Sequence, residues 1–135
     1  MKVLIIPIND ALDEKWAINH IIEQYQQAPV QIHLVNVQTP LPRHVSRFFN
    51  RAHIQDFHRE AGMQVLAGSI RMLDEAKIPH QEHVLVGRKV EAIVNFARQY
   101  SQSEVIVVSR PATLLSALWP GSYVSQIQRA IASQT

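Results

Sequence analysis

The residues best suited to do chemistry lie in the last third of the chain. A short apolar segment, EVIVV, leads through a loop to Gly121-Ser122, which opens a stretch with helical periodicity. Glycine and serine at a helix start favour anion binding, because free N–H groups and the positive end of the helix dipole converge there. Arg110, in the same loop, carries a planar guanidinium that pairs well with phosphate. The pattern indicates a phosphate or nucleotide site.

The same residues also have a purely structural interpretation. Gly121-Ser122 follows Pro120, which makes a good helix start, and we favour capping of that helix over anion binding. The loop between the apolar segment and this helix contains no other glycine, so a solvated charge is the favoured interpretation of Arg110. For Asn9, base recognition and satisfaction of backbone groups at a strand-to-helix turn remain equally open.

The spacing of apolar residues predicts the elements that must position this loop. Continuous or alternating apolar runs predict strands at 2–8, 30–37, 83–87 and 104–108, and helical spacing predicts helices at 11–27, 54–77, 90–100 and from Gly121 onward. Residues 39–53 show no clear period and are expected to form a long connection. The alternation predicts a single domain over 1–135, with a doubly wound parallel sheet, helices on both faces and right-handed crossovers.

Composition excludes several classes of protein. The 135 residues include no cysteine, which rules out a disulfide framework and thiolate metal sites. No apolar run approaches the ~20 residues of a membrane span, so we expect a cytoplasmic protein with no membrane partner. A formal charge of +2 is too weak to favour nucleic acid by itself.

One segment concentrates positive charge around two aromatic residues. Phe48 and Phe49 stand among four arginines and three histidines between Arg43 and Arg59: Arg43, His44, Arg47, Arg51, His53, His58 and Arg59. Such a segment suits a lid, a docking surface or single-stranded nucleic acid, which binds through phosphate contacts and stacking. We expect instead that both phenylalanines pack beneath the connection while the charges stay in water, which makes a nucleic-acid partner unlikely.

Neither catalysis nor metal binding has a recognisable pattern. The chain has no nucleophile elbow and no Walker loop. His53 and His58 are five residues apart, and His80 and His83 fall on opposite faces of a predicted strand, so no metal site is expected. Asp10 and Asp13 suit the positive end of a helix dipole. Gly87-Arg88-Lys89 is expected to be a turn with an exposed basic pair, not a second phosphate cradle.

Three segments together resemble the universal stress proteins. They are KVLIIPIND at the start, VGRKVEAIVNFA at 86–97 and EVIVVSRPATLLSALWPGSYVSQIQRA at 104–130, and the resemblance spans nearly the whole chain in the same order. It implies a Rossmann-like, adenine nucleotide alpha hydrolase-like fold and usually a dimer. In the better-equipped members of that family, ATP binds between the ends of strands one and four.

The motifs that hold ATP in such members are altered in this chain. Ile8-Asn9-Asp10-Ala11 matches a strand-one motif of the type V-D-G-S, with Asn9 in place of the aspartate. The first two glycine positions fall on Val108 and Pro111, and only Gly121-Ser122 is retained. A branched side chain and a missing N–H both hinder close approach of phosphate. Tyr123-Val124 then stands where a small residue and Ser or Thr are expected.

The resemblance therefore predicts a regulatory or interaction module that is not an enzyme and needs no cofactor. Binding of ATP or AMP in a modified pose, through Asn9 and Gly121-Ser122, is the alternative. The residues that would contact the nucleotide are Pro7, Ile8, Asn9, Val37, Val107, Val108, Arg110, Pro111, Gly121, Ser122, Tyr123 and Val124.

The end of the chain predicts where two copies meet. Members of this family usually continue past the last helix into a fifth strand beside strand four, whereas this sequence stops at Ser133-Gln134-Thr135. Strand four would then be an exposed apolar edge, which proteins normally cover or pair. We expect either a homodimer with its contact at Glu104, Val105, Ile106, Val107 and Val108, or a native tail beyond Thr135 that covers this edge.

Overall fold

The computed structural model describes residues 2–100 and 105–107, which form a parallel sheet with helices on both faces. The elements in chain order are β1 (Val3–Pro7), α1 (Ala11–Gln27), β2 (Gln31–Gln38), α2 (Arg43–Ser46), α3 (Arg51–Glu75), β3 (Gln81–Val86), α4 (Lys89–Ala97) and β4 (Val105–Val107). The strand order is β3-β2-β1-β4, and every pairing is parallel. The predicted doubly wound α/β fold is confirmed.

The sheet separates two hydrophobic cores, because β1 and β2 are buried on both faces. One core packs β1 and β2 against α1 and α3, and it includes Leu4, Ile6, Leu34 and Leu66. The second packs the alternate residues of the same strands against α4, among them Ile5 and Val35. Strands covered on both sides account for the nearly continuous apolar runs in the sequence.

The connection at 39–53 is more ordered than its sequence pattern predicts. It contains the single turn α2, and α3 begins at Arg51 instead of residue 54. Asn50 causes this earlier start, since its side chain accepts a hydrogen bond of 2.8 Å from the backbone N–H of His53. The expectation of an irregular connection was therefore wrong for much of this stretch.

Strand β3 also begins earlier than predicted, at Gln81 instead of residue 83. Gln81 and Glu82 are polar, but both pair with β2, opposite His33 and Leu34. Within the described residues, β3 is an edge of the sheet, where polar side chains meet water. An apolar pattern cannot identify such residues as part of a strand.

The start of α1 is fixed by reciprocal hydrogen bonds with the end of β1. Asp10 caps the helix by accepting a bond of 2.8 Å from the N–H of Asp13. The Asp13 carboxylate in turn accepts a bond of 3.0 Å from the N–H of Asn9. Both carboxylates also lie near the positive end of the helix dipole, as the sequence predicts.

Candidate functional site

The carboxyl ends of β1, β2 and β4 bring five of the predicted nucleotide-contacting residues to one edge of the sheet. Strand β1 lies between the other two, with Ile5 opposite Val107 and Pro7 opposite Val35. Ile8 continues β1 and donates a backbone hydrogen bond of 2.8 Å to Val35. The predicted site residues Pro7, Ile8, Asn9, Val37 and Val107 therefore share this edge.

Burial distinguishes the side chains at this edge. Ile8 is packed in the core beneath α1 and α3, and Val37 in the core beneath α4. Pro7 is also buried, whereas Asn9 is half-buried. Asn9 is thus the residue among these four whose side chain can meet a ligand, while the other three support the backbone around it.

The remaining predicted contacts lie outside the described residues. These are Val108, Arg110, Pro111, Gly121, Ser122, Tyr123 and Val124, and Glu104 of the expected dimer contact lies outside them as well. The described part of the chain therefore contains the β1 and β2 side of the predicted site.

A chain of buried and half-buried polar groups leads away from this edge, and the sequence pattern did not predict it. Asn36 Nδ2 donates a bond of 2.9 Å to the carbonyl of Ile8, and Gln38 Nε2 donates one of 2.6 Å to Asn36 Oδ1. His58 Nδ1 lies 3.5 Å from Gln38 Oε1. Two polar residues at alternate positions near the end of β2, Asn36 and Gln38, are the signal that could have revealed it.

His58 does not belong to the surface where its sequence position suggested it would lie. It is only 3% exposed, because it points from α3 toward the end of β2. The Gln38 amide oxygen is an acceptor, so the His58 Nδ1–H must be the donor in this contact. His58 therefore supports the packing of α3 and adds nothing to the exposed positive charge.

The expectation that Phe48 and Phe49 pack beneath the connection was wrong. Phe48 is 72% exposed and Phe49 is 53% exposed, and Phe57 on α3 is half-exposed. The Arg47 guanidinium lies 4.9 Å from the centre of the Phe48 ring, a cation–π contact. Among residues 2–100, α2 is a single turn of helix, and no second apolar surface covers these rings. We call residues 43–59 the basic-aromatic segment.

A cavity of about 890 Å³ lies beside the basic-aromatic segment. Its walls are the connection after β2, the first half of α3 and the edge strand β3. Ser46, Ile54, Arg59, Met63 and Val84 contribute to the lining, which mixes apolar and charged groups. The cavity and the exposed rings together make this part of the described surface the best suited to contact another molecule.

The two histidines near β3 contact different groups. His83 contacts His33 of β2, with 2.9 Å between Nε2 and Nδ1. His80 instead lies 2.8 Å from an oxygen of Asp74 and 3.0 Å from one of Glu82. Among residues 2–100 and 105–107, no three histidine or carboxylate side chains are arranged to hold a metal ion.

Gly87-Arg88-Lys89 forms the turn between β3 and α4. Gly87 has φ of +151°, a conformation that suits glycine, and Arg88 and Lys89 are exposed as α4 begins. The predicted turn with an exposed basic pair is confirmed.

None of the described helices combines the length and the apolar character needed to cross a bilayer.

Comparison with known proteins identifies the family. The family model described as the universal stress protein family matches residues 1–131. A solved universal stress protein in complex with cAMP aligns with a TM-score of 0.61 at 14% identity, covering 96% of this chain and 90% of that one. A solved protein of the universal stress protein family from Burkholderia pseudomallei aligns with a TM-score of 0.55 at 12% identity, covering 81% of this chain and 96% of that one. A search of curated protein sequences found no match. On the family match and the shared fold, the chain belongs to the universal stress protein family.

Proposed function

We propose that this protein is a cytoplasmic regulatory or interaction module that does not bind ATP in the mode usual for its family. The observation that carries the proposal is the exposure of Phe48 and Phe49 in the basic-aromatic segment. Exposed aromatic rings beside arginines are characteristic of contact surfaces, where both residue types are enriched. Its partner, in this proposal, is a protein that covers these rings.

The sequence that follows β4 supports the part of the proposal that concerns ATP. Val108 and Pro111 occupy positions where glycine would let the backbone approach phosphate. Proline also lacks the N–H that a phosphate would accept from. Asn9, in place of an aspartate, offers an uncharged amide to the base.

Calorimetric titration with Mg-ATP and with AMP tests this part directly. We expect no heat at micromolar nucleotide for the unmodified protein. Micromolar heat that disappears in a Gly121→Asp variant would contradict the proposal and favour binding in a modified pose through Asn9 and Gly121-Ser122. That alternative is supported by the half-buried position of Asn9 and by the solved relative in complex with cAMP.

A second candidate function is contact with single-stranded nucleic acid through the basic-aromatic segment. The Phe48 and Phe49 rings are exposed for stacking, and Arg47 lies over the first of them. Each stacked base contributes about 1–3 kcal/mol. For a labelled oligothymidine, we expect affinity to fall steeply with added salt and by about tenfold or more in a Phe48→Ala, Phe49→Ala variant.

Arg88→Ala is the matched control for this experiment, since Arg88 is an exposed arginine remote in sequence from the segment. Arg47→Ala should lower the slope of log affinity against log salt concentration by about one, the effect of losing one phosphate contact. Arg88→Ala should leave this slope unchanged. A flat salt profile, or equal effects of the two arginine variants, would dismiss the nucleic-acid candidate.

We also propose that the protein is a homodimer whose contact includes Glu104–Val108. The support is that β4 is an edge of the sheet within the described residues, and an apolar edge is normally paired or covered. Native mass spectrometry should find a dimer, and a Val107→Lys substitution should shift it to monomer. A monomer at micromolar concentration in the unmodified protein would contradict this proposal.

A further inference from the structure

Two histidines meet on the face of the sheet that α4 covers. His33 of β2 is fully buried, and its Nδ1 lies 2.9 Å from Nε2 of His83 on β3. Phe96 and Tyr100 enclose the pair, with ring centres 5.7 Å and 4.9 Å from that of His33. Phe96 also lies 4.5 Å from the ring of His83. The pair therefore joins β2, β3 and the end of α4 in one aromatic cluster.

The distance between the two nitrogens distinguishes a shared proton from a shared metal ion. A separation of 2.9 Å is that of a hydrogen bond, in which the N–H of one neutral ring donates to the bare nitrogen of the other. Tetrahedral zinc, at about 2.0–2.1 Å from each nitrogen, would hold them roughly 3.3 Å apart. The geometry favours a shared proton over a shared metal ion. With both rings neutral, one added proton makes one ring positive, and a second added proton would place two positive charges in contact.

Within residues 2–100, the groups around the pair do little to compensate that second charge. On β3, the carboxylate of Glu82 is the nearby anion, but it also bonds His80, which contacts Asp74 as well. Just after α4, the titratable residue facing the pair is Tyr100. On the other side of β2, His33 is paired with the apolar Ile5.

The electrostatics agree with this geometry. Burial lowers the pKa of His33, and the proximity of His83 lowers it further. Burial also lowers the pKa of His83, while the Glu82 carboxylate opposes part of that change. Both rings resist protonation while the cluster stays packed.

We propose that the His33–His83 pair is an acid-sensitive latch that holds α4 against β2 and β3 and releases it when the surroundings acidify. Once α4 moves away, water reaches both rings and each can carry its own proton. Release would expose Phe96 and the second hydrophobic core, including Ile93 and Ala97, to solvent. The latch thus couples acidity to a new apolar surface on this side of the sheet.

The direction of the pH effect follows from the lowered pKa of each histidine. When α4 has moved away, which we call the open state, the rings titrate near their ordinary pKa of 6.5. When α4 is packed against the sheet, the closed state, they titrate below it. The closed state therefore has its full stability above pH 6.5 and loses it as the pH falls through the lowered values. Two protons taken up on opening raise the opening constant by as much as about 100-fold per pH unit.

Hydrogen exchange tests the latch in the intact protein. Between about pH 7 and pH 5.5, we expect protection factors of α4 amides such as Ile93 and Val94 to fall at least tenfold more than those of α1. In a His83→Gln variant, which retains a hydrogen-bonding group but removes one titrating ring, this additional loss should shrink to a few-fold or less. His44→Gln, which removes an exposed histidine, is the matched control and should behave as the unmodified protein.

Three outcomes would overturn the latch. One is an equal loss of protection in α1 and α4, and another is an unchanged response in His83→Gln. The third is stabilisation of the unmodified protein by micromolar zinc that His83→Gln abolishes, since the pair would then be a metal site. If His83→Gln does not fold, imidazole ¹⁵N titration of the unmodified protein decides: the latch requires both rings to titrate below 6.5.

Discussion

Replacing Asn36 with aspartate should destabilise the protein by about 3 kcal/mol, although the two side chains have nearly the same shape. Asn36 is buried, and its Nδ2 donates a hydrogen bond of 2.9 Å to the carbonyl of Ile8. Aspartate would place a charged acceptor against that carbonyl oxygen in a site with little water. The carboxylate keeps an oxygen that can accept from Gln38, so the hydrogen bond that is lost is the one to the carbonyl of Ile8.

The midpoint of urea denaturation at neutral pH measures this effect. Asn50→Asp is the matched control, because Asn50 caps α3 through its side-chain oxygen, which aspartate retains. A negative charge at the start of a helix is favourable, so this control should be neutral or stabilising by up to about 0.5 kcal/mol. Equal midpoints for the two variants would show that the bond between Asn36 and Ile8 does not stabilise the fold.

The loss of stability caused by Asn36→Asp should also become smaller at acidic pH. Burial raises the pKa of the introduced carboxyl group, and its protonated form can again donate a hydrogen bond to the carbonyl of Ile8. The variant should therefore recover part of its stability relative to the unmodified protein as the pH falls from 7 to about 5. Because this trend is measured as a difference from the unmodified protein, it is separable from the effect of the His33–His83 pair.

Two glycines of α3 should respond in opposite directions to the same substitution by alanine. A Cβ on Gly62 would lie 2.5 Å and 2.6 Å from the two γ-carbons of Val84, a stiff side chain on the neighbouring strand. A Cβ on Gly68 would lie 2.6 Å from a carboxylate oxygen of Glu14, the mobile end of a flexible side chain. We expect Gly62→Ala to destabilise by about 2 kcal/mol and Gly68→Ala to stabilise by up to about 1 kcal/mol.

Urea denaturation of the two variants gives a comparison in which the gain in helix propensity is the same and cancels. The difference between them isolates the close approach of α3 to β3, which also forms a wall of the cavity beside the basic-aromatic segment. A combined Gly62→Ala, Val84→Ala variant should recover part of the loss by removing the overlapping methyl groups. A Gly62→Ala variant as stable as Gly68→Ala would mean that α3 and β3 are farther apart than the structure has them.

The proposed contacts are distributed over different parts of the fold. The basic-aromatic segment lies after β2 and along the first half of α3, whereas the histidine latch lies on the opposite face, beneath α4. The predicted nucleotide edge lies between them, at the ends of β1 and β2. Asn36 links this edge to α3 through Gln38 and His58, so substitutions there test whether the edge and the segment are coupled.

The sequence by itself determined the α/β class, the order of the strands and of the long helices α1, α3 and α4, and the boundaries of α1. These depend on local patterns: strands buried on both faces must be apolar throughout, and Asp10 caps α1 through its own side chain. The family resemblance implied that Pro7, Ile8, Asn9 and Val37 belong to a nucleotide site, and the parallel strands bring them to one edge of the sheet. The family resemblance added the comparison of Val108 and Pro111 with glycine positions.

Only the tertiary structure decided which polar and aromatic side chains meet or remain exposed. His33 and His83 are 50 residues apart, and their contact depends on the register between β2 and β3 and on the packing of α4. Phe48 and Phe49 look like core residues in sequence, but exposure depends on whether another element covers them, which no local pattern encodes. His58 has a basic neighbour in sequence and is buried because α3 turns that face toward Gln38. Local periodicity fixes the elements, whereas contacts between distant residues depend on how those elements pack.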